Sequence, residues 1–137
     1  MKLERVQYLT VQDVLDIHNE VLFEDEDFGI LKPSELDAAV LAVQATFGGA
    51  PLLGSLAQIA AAYVFYLNRS QVFLDGNKRT SLFSAFAFLE ANKVDIDIDE
   101  DFWIDVVTGV VNHRVSQDEL VEIFTAQMGG DAGVLDW

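Results

Sequence analysis

From Leu56 to Leu67 the chain reads Leu-Ala-Gln-Ile-Ala-Ala-Ala-Tyr-Val-Phe-Tyr-Leu, apolar on nearly every side of any helix it forms. A surface helix keeps one polar face, so a segment like this belongs at the centre of a bundle. A second apolar stretch, Ser81–Leu89, follows after a polar interval, Arg-Ser-Gln-Val-Phe-Leu-Asp-Gly-Asn-Lys-Arg-Thr over 69–80. The chain carries eight Lys and Arg, and three of them (Arg69, Lys78, Arg79) fall in that interval. A compact polar loop that opens a buried helix is suited to an anion. Helix N-termini present unpaired backbone N–H groups and a partial positive charge, which match phosphate.

The remaining segments predict further helices around this pair. Thr10 with Asp13 three residues later resembles a capping box, and Val11, Val14, Leu15, His18, Val21 and Leu22 continue at helical spacing. His18 falls on the apolar stripe and reads first as a core histidine satisfied by backbone or side-chain partners, with a role in lining the active cleft as the alternative. The acidic run Glu24–Asp27 is a loop by composition, and Gly29–Lys32 reads as an extended strip beside the cleft. Pro33-Ser34-Glu35 predicts a second helix with Ser34 as cap, running to about Thr46 and stopped by Gly48, Gly49 and Pro51. The two apolar helices come next, the second spanning about Asn77 to Ala91. Val94–Asp99 alternates apolar and acidic residues and predicts a short extended connection. Asp101–Asn112 and Ser116–Met128 read as two more amphipathic helices, the second opened by a Ser116–Glu119 capping box, and the tail from Gly129 to Trp137 as loose. The expectation is an all-α, compact bundle of about six helices with a short extended segment or two.

With 137 residues and no repeat or linker, one domain over 1–137 is expected, long enough to bury about two-thirds of its unfolded surface. A formal net charge of −15 argues against non-specific contact with nucleic acid or anionic membranes. No apolar run reaches the ~18 residues of a membrane span, and Met1–Arg5 lacks the apolar core of a signal peptide. Cysteine is absent, which excludes thiolate chemistry and fits a cytoplasmic location. Asp95, Asp97 and Asp99 form a ladder of carboxylates, but the glycine and final glutamate of a calcium loop are missing.

Phe73-x-Asp75-Gly76-Asn77-Lys78-Arg79-Thr80 resembles the signature loop of the Fic/Doc family, in which a histidine two residues before the phenylalanine opens the pattern. Leu9-Thr10, Asp13-Val14-Leu15, Ile17-His18, Gly29-Ile30, Gln44–Gly49 and Phe88–Asn92 are similar to further landmarks of the Doc (death-on-curing) branch. The resemblance runs from about Leu9 to Met128 and implies a small all-helical fold. It also implies ATP as substrate, phosphates cradled by Gly76 and Thr80 at the helix start, Mg²⁺ on Asp75, and Asn77 and Arg79 gripping phosphate oxygens. Arg69 stands where Doc-like chains have an arginine, and Phe73 matches a residue that seats the loop. AMP-transferring Fic proteins have glycine after the asparagine and a second arginine three residues after the first; here those positions are Lys78 and Leu82. That is the Doc pattern. It implies phosphoryl transfer from ATP to a hydroxyl of a protein such as elongation factor Tu, and restraint by an antitoxin segment that folds into a groove. AMP transfer is the alternative, and a non-catalytic module that binds nucleotide or antitoxin is another.

Gln71 occupies the position of the family histidine, the base that takes the proton of the acceptor hydroxyl. Glutamine orients by hydrogen bonding but does not titrate near neutral pH, and loss of a general base costs about 10²–10⁴-fold in rate. Three accounts follow. The chain is an enzyme disarmed by substitution; or it is a natural, weak member that still binds; or the proton goes elsewhere, to Asp75 or to phosphate. By position, His18 on a distant helix and His113 at a helix end beside Arg114 are not expected to replace the base.

Overall fold

The computed structural model describes residues 1–136, and its centre is the apolar helix. In chain order a 3₁₀ turn (Leu3–Arg5) precedes α1 (Val11–Val21), α2 (Pro33–Ala42), a two-stranded hairpin of β1 (Thr46–Phe47) and β2 (Ala50–Pro51), α3 (Leu56–Arg69), α4 (Asn77–Ala91), α5 (Glu100–Val111) and α6 (Gln117–Gln127). Helix α3 packs against α4 most extensively, and also against α6, α2 and α5. Its alanines at 57, 60, 61 and 62 are all fully buried, and their small side chains let the neighbouring helices approach closely. Ser55 caps it, accepting the Gln58 N–H at 3.1 Å. Helix α4 buries Leu82, Ala85, Phe86, Phe88 and Leu89. Trp103 of α5 is 1% exposed and lies edge-on to Phe86 at 5.2 Å and tilted against Phe124 of α6 at 4.8 Å. This aromatic stack joins α4, α5 and α6, and truncating such a residue costs about 3–5 kcal/mol.

The expected all-α bundle of six helices is present. The capping boxes expected at Thr10–Asp13 and Ser116–Glu119 both form, with each side chain bonded to its partner's backbone. Three local expectations need correction. Helix α2 has Lys32 rather than Ser34 at its N-cap, because Pro33 takes the first helical position, where its missing N–H costs nothing. It also ends at Ala42: beyond it Thr46 and Phe47 pair antiparallel with Pro51 and Ala50, turned by Gly48 and Gly49 at φ +60° and +83°. Helix α5 starts one residue early, with Asp99 accepting the Phe102 N–H at 3.2 Å, while Val94–Asp99 is the non-helical connection expected.

The tail is pinned rather than loose over its described part. Gly133 carbonyl accepts from Leu56 N–H at 3.0 Å, Leu135 N–H donates to Gly54 carbonyl at 2.8 Å, and Leu135 is buried. Gly133 has φ +68° and lies so close to Leu56 that a Cβ would meet that side chain at 2.9 Å. Trp137, the last residue of that tail, lies outside the described residues.

Candidate functional site

The loop between α3 and α4 is held by its own backbone and by two elements distant in sequence. Helix α3 closes at Arg69, and Gln71 turns the chain with φ +50°, a region that non-glycine residues seldom occupy. The Asn68 carbonyl accepts both the Gln71 backbone N–H at 3.2 Å and its Nε2 at 3.1 Å. Val72 and Phe73 then plunge into the core, at 0% and 1% exposure. The strip expected beside the cleft is there. Ile30 bridges Phe73 antiparallel, Leu31 N–H donates to Val72 carbonyl at 2.8 Å, and Leu74 N–H donates to Gly29 carbonyl at 2.9 Å.

Asn77 has a different occupation from the one expected. Its Oδ1 accepts the Phe73 N–H at 3.0 Å and its Nδ2 donates to the Phe73 carbonyl at 2.8 Å. The side-chain amide thus spans the loop like a rung, fixing its shape instead of standing free for phosphate. His18 supports the loop from below. Its ring stacks on Phe73 at 3.8 Å, and Nε2 lies 2.8 Å from the Asp75 carbonyl oxygen. A carbonyl only accepts, so Nε2 carries the proton. His18 is the buried core histidine expected from its stripe, and it also touches the site, as the alternative reading of its position allowed.

Gly76 opens α4 at φ +82° with no side-chain cap, leaving the first-turn N–H groups to the cavity above them. A Cβ here would stand 3.0 Å from Leu22 Cδ2 and 3.6 Å from the His18 ring, so the position demands glycine on both conformational and steric grounds. The cavity is about 290 Å³ and is lined by Glu26, Gln71, Leu74, Asp75, Gly76, Asn77, Lys78, Arg79 and Val111. An uncapped helix start with a lysine and an arginine beside it offers an anion both dipole and charge.

The acidic loop after α1 closes one side of this cavity. Arg79 donates from Nη2 to both Glu26 oxygens at 2.7 and 2.6 Å, donates from Nη1 to the Val21 carbonyl, and stacks 4.0 Å over the Phe23 ring. Arg79 and the Phe23 N–H together hold the Glu26 carboxyl below the usual carboxylate range. Asp27 N–H donates to Asp75 Oδ2 at 2.8 Å, which leaves the other Asp75 oxygen for a cation. Among the described residues no three carboxylates or histidines cluster. A lone carboxylate beside a phosphate cradle fits Mg²⁺, which is commonly bound through one or two carboxylates and the substrate's own phosphates.

Six of the expected site residues therefore share one cavity: Gln71, Asp75, Gly76, Asn77, Lys78 and Arg79. Two do not. Thr80 is fully buried with its Oγ1 unpartnered in the core, out of reach of a phosphate. Arg69 stacks over Tyr66 at 4.6 Å and lines a neighbouring cavity, whose walls include Gln71 and, contrary to expectation, His113. Leu82, where AMP-transferring relatives have their second arginine, is 2% exposed and part of the core. Glu26 and Asp27 are the residues the sequence did not single out. Glu26 looks like its acidic neighbours.

The chain matches known proteins in sequence over most of its length. Residues 8–89 match the model of the Fic/DOC family, a segment that runs from before α1 through the loop to near the end of α4. The chain is also 33% identical over 130 residues to the Toxin Doc of Mycolicibacterium smegmatis, a match covering 92% of this chain and 94% of that protein. With the loop, the helices around it and these two matches in agreement, the chain belongs to the Fic/DOC family.

Proposed function

We propose that this chain is a Doc-like toxin of a toxin–antitoxin pair that transfers the γ-phosphoryl of ATP to a hydroxyl of a protein, elongation factor Tu being the expected target. The observation that carries the reading is the glycine-opened start of α4, uncapped, facing a 290 Å³ cavity with Asp75 and Lys78 on its wall and Arg79 at its edge. Bound Mg²⁺ would neutralise phosphate charge there. The chain's own part is to seat the polyphosphate on the α4 amides, to present Asp75 from a backbone fixed by His18, and to bring Lys78 and Arg79 to the oxygens where charge gathers. Lys78 is exposed and, among the described residues, makes no ion pair, so its ammonium is available. Arg79 is engaged by Glu26 and turns to phosphate when that contact opens. Gln71 positions the acceptor hydroxyl but takes no proton, which makes the transfer slow.

The antitoxin segment is placed in an apolar groove of about 510 Å³ between α1, α4 and α5. Val21, Leu82, Phe83, Phe86 and Ile104 line it, and Glu20, Glu100 and Asp101 stand on its rim, so an amphipathic helix with cationic flanks suits it. Arg79 and Phe23 also line this groove, which joins the docked segment to the phosphate site. We place the protein in the cytoplasm, where its nucleotide and target are found; no described helix is long and apolar enough to cross a membrane.

The second reading, AMP transfer, is disfavoured by Lys78 and by Leu82, a buried residue where an arginine is needed. ATP labelled on the γ- or α-phosphate separates the readings. The chain, and more strongly its Gln71→His variant, is expected to move γ-label and not α-label onto elongation factor Tu. Lys78→Gly in the Gln71→His background is expected to admit α-label. Transfer of α-label by the parent overturns the phosphoryl reading. Absence of any transfer with Mg·ATP still bound favours a binding module.

A further inference from the structure

Gln71 is a wall between two cavities. One is the phosphate cradle; the other, about 230 Å³, lies between the end of α3 and the end of α5 and is lined by Phe65, Asn68, Arg69, Val111 and His113. Val111 borders both, so the two spaces adjoin at Gln71. Three described non-glycine residues have positive φ, and two of them, Gln71 at 50° and His113 at 61°, meet on this second cavity. Left-handed backbone at non-glycine residues carries strain and gathers at functional sites. Asn68, only 4% exposed, gives its Nδ2 to the Val64 carbonyl at 2.8 Å and to Ser81 Oγ at 2.6 Å, while its Oδ1 has no partner. A buried acceptor left open is costly, and an incoming donor such as a backbone N–H would recover that cost.

Of the side chains lining this cavity, the His113 imidazole alone carries a basic ring nitrogen. Arg69 stays protonated, and the Asn68 and Gln71 amides do not titrate. On the cradle side Glu26 is bound to Arg79, and one Asp75 oxygen accepts from Asp27. We propose that the target's hydroxyl-bearing side chain enters through this second cavity and that His113, not residue 71, accepts its proton. The hydroxyl oxygen bonds to the γ-phosphorus as the bond from that phosphorus to the β–γ bridging oxygen breaks, and ADP leaves with the electron pair. The hydroxyl proton passes to the unprotonated nitrogen of His113, which is exposed and returns it to water. Gln71 stands at the border the hydroxyl reaches, its Nε2 donating to the Asn68 carbonyl at 3.1 Å and its Oε1 accepting from Asn77 Nδ2 at 3.4 Å. This inference rests on the phosphoryl-transfer reading above.

The test is single-turnover transfer from Mg·[γ-³²P]ATP to purified elongation factor Tu, with the parent chain, His113→Asn, His113→Gly, Gln71→His and the Gln71→His/His113→Asn pair. Asparagine and glycine both accept left-handed backbone, so folding and Mg·ATP binding should be retained. The parent is expected to transfer slowly, and His113→Asn to be slower by about 10²-fold or more. Added imidazole should restore His113→Gly, and the double variant should run at the rate of Gln71→His. If His113→Asn equals the parent while Gln71→His is active, the proton goes elsewhere and the proposal falls with the function intact. An inactive parent beside an active Gln71→His also overturns it. If neither the parent nor Gln71→His transfers phosphate, the phosphoryl-transfer reading fails and takes this inference with it.

Discussion

Replacing His18 by phenylalanine separates the two tasks of its ring. The imidazole is 1% exposed, stacks on Phe73 at 3.8 Å and donates to the Asp75 carbonyl at 2.8 Å. Phenylalanine keeps a flat ring over Phe73, retaining a pair worth about 0.5–1.5 kcal/mol. It removes the donor, and an acceptor left unmatched in a partly buried place costs about 1–3 kcal/mol. The expected loss for His18→Phe is therefore about 1–3 kcal/mol. Alanine also leaves a cavity, for a total of about 3–5 kcal/mol. Urea unfolding followed by the fluorescence of buried Trp103 measures both losses. The functional consequence is read on the same samples by titration with Mg·ATP. The Asp75 carboxylate is aimed from a backbone that His18 pins, so affinity in folded His18→Phe should fall about tenfold, equivalent to ~1.4 kcal/mol. A His18→Phe protein within ~0.5 kcal/mol of the parent, with unchanged affinity, would refute the claim that this ring positions the site.

Two further expectations concern the cavity's edges. Gly76→Ala must hold a Cβ at φ +82° against Leu22 Cδ2 at 3.0 Å, so it should lose about 1–2 kcal/mol and bind Mg·ATP weakly as the α4 amides tilt; a neutral result in thermal unfolding and binding would contradict the close approach. Glu26→Gln should release Arg79 toward phosphate and tighten Mg·ATP several-fold in calorimetry. The same pair has a signature in pH: with its carboxyl held low by Arg79 first and the Phe23 N–H second, Glu26 contributes stability above its unfolded value of about 4.3, and that contribution is lost as pH falls through the lower folded value. Melting temperatures taken downward from about pH 6 should therefore fall less steeply in Glu26→Gln than in the parent.

What the sequence revealed and what it hid follow from the range of the interactions concerned. The central helix, the one after it and the loop between them were legible because their signals are local: an all-round apolar run, then a carboxylate, a glycine, an amide and two cations in consecutive register. Capping boxes at Thr10 and Ser116 were legible for the same reason, since each closes within three residues. The rung made by Asn77 was not, because an amide that binds backbone and one that binds phosphate look alike in one dimension. Glu26 was hidden among Glu24, Asp25 and Asp27; its partner lies 53 positions away. His113 was set aside because it sits beside Arg114 in the chain, whereas the turn of α5 carries it to the cavity behind Gln71. The hairpin at 46–51 replaced an expected helix end because two glycines with positive φ let the strands fold back.

The start of α4 is read as a seat for polyphosphate, and calorimetric titration of Mg·ATP into the purified chain tests that seat directly. A one-to-one isotherm is predicted, weakened at least tenfold by Asp75→Ala and by Arg79→Ala in proteins that melt normally, each loss equivalent to ~1.4 kcal/mol or more. Absence of binding heat at any nucleotide concentration, or equal isotherms for the parent and both variants, would contradict it.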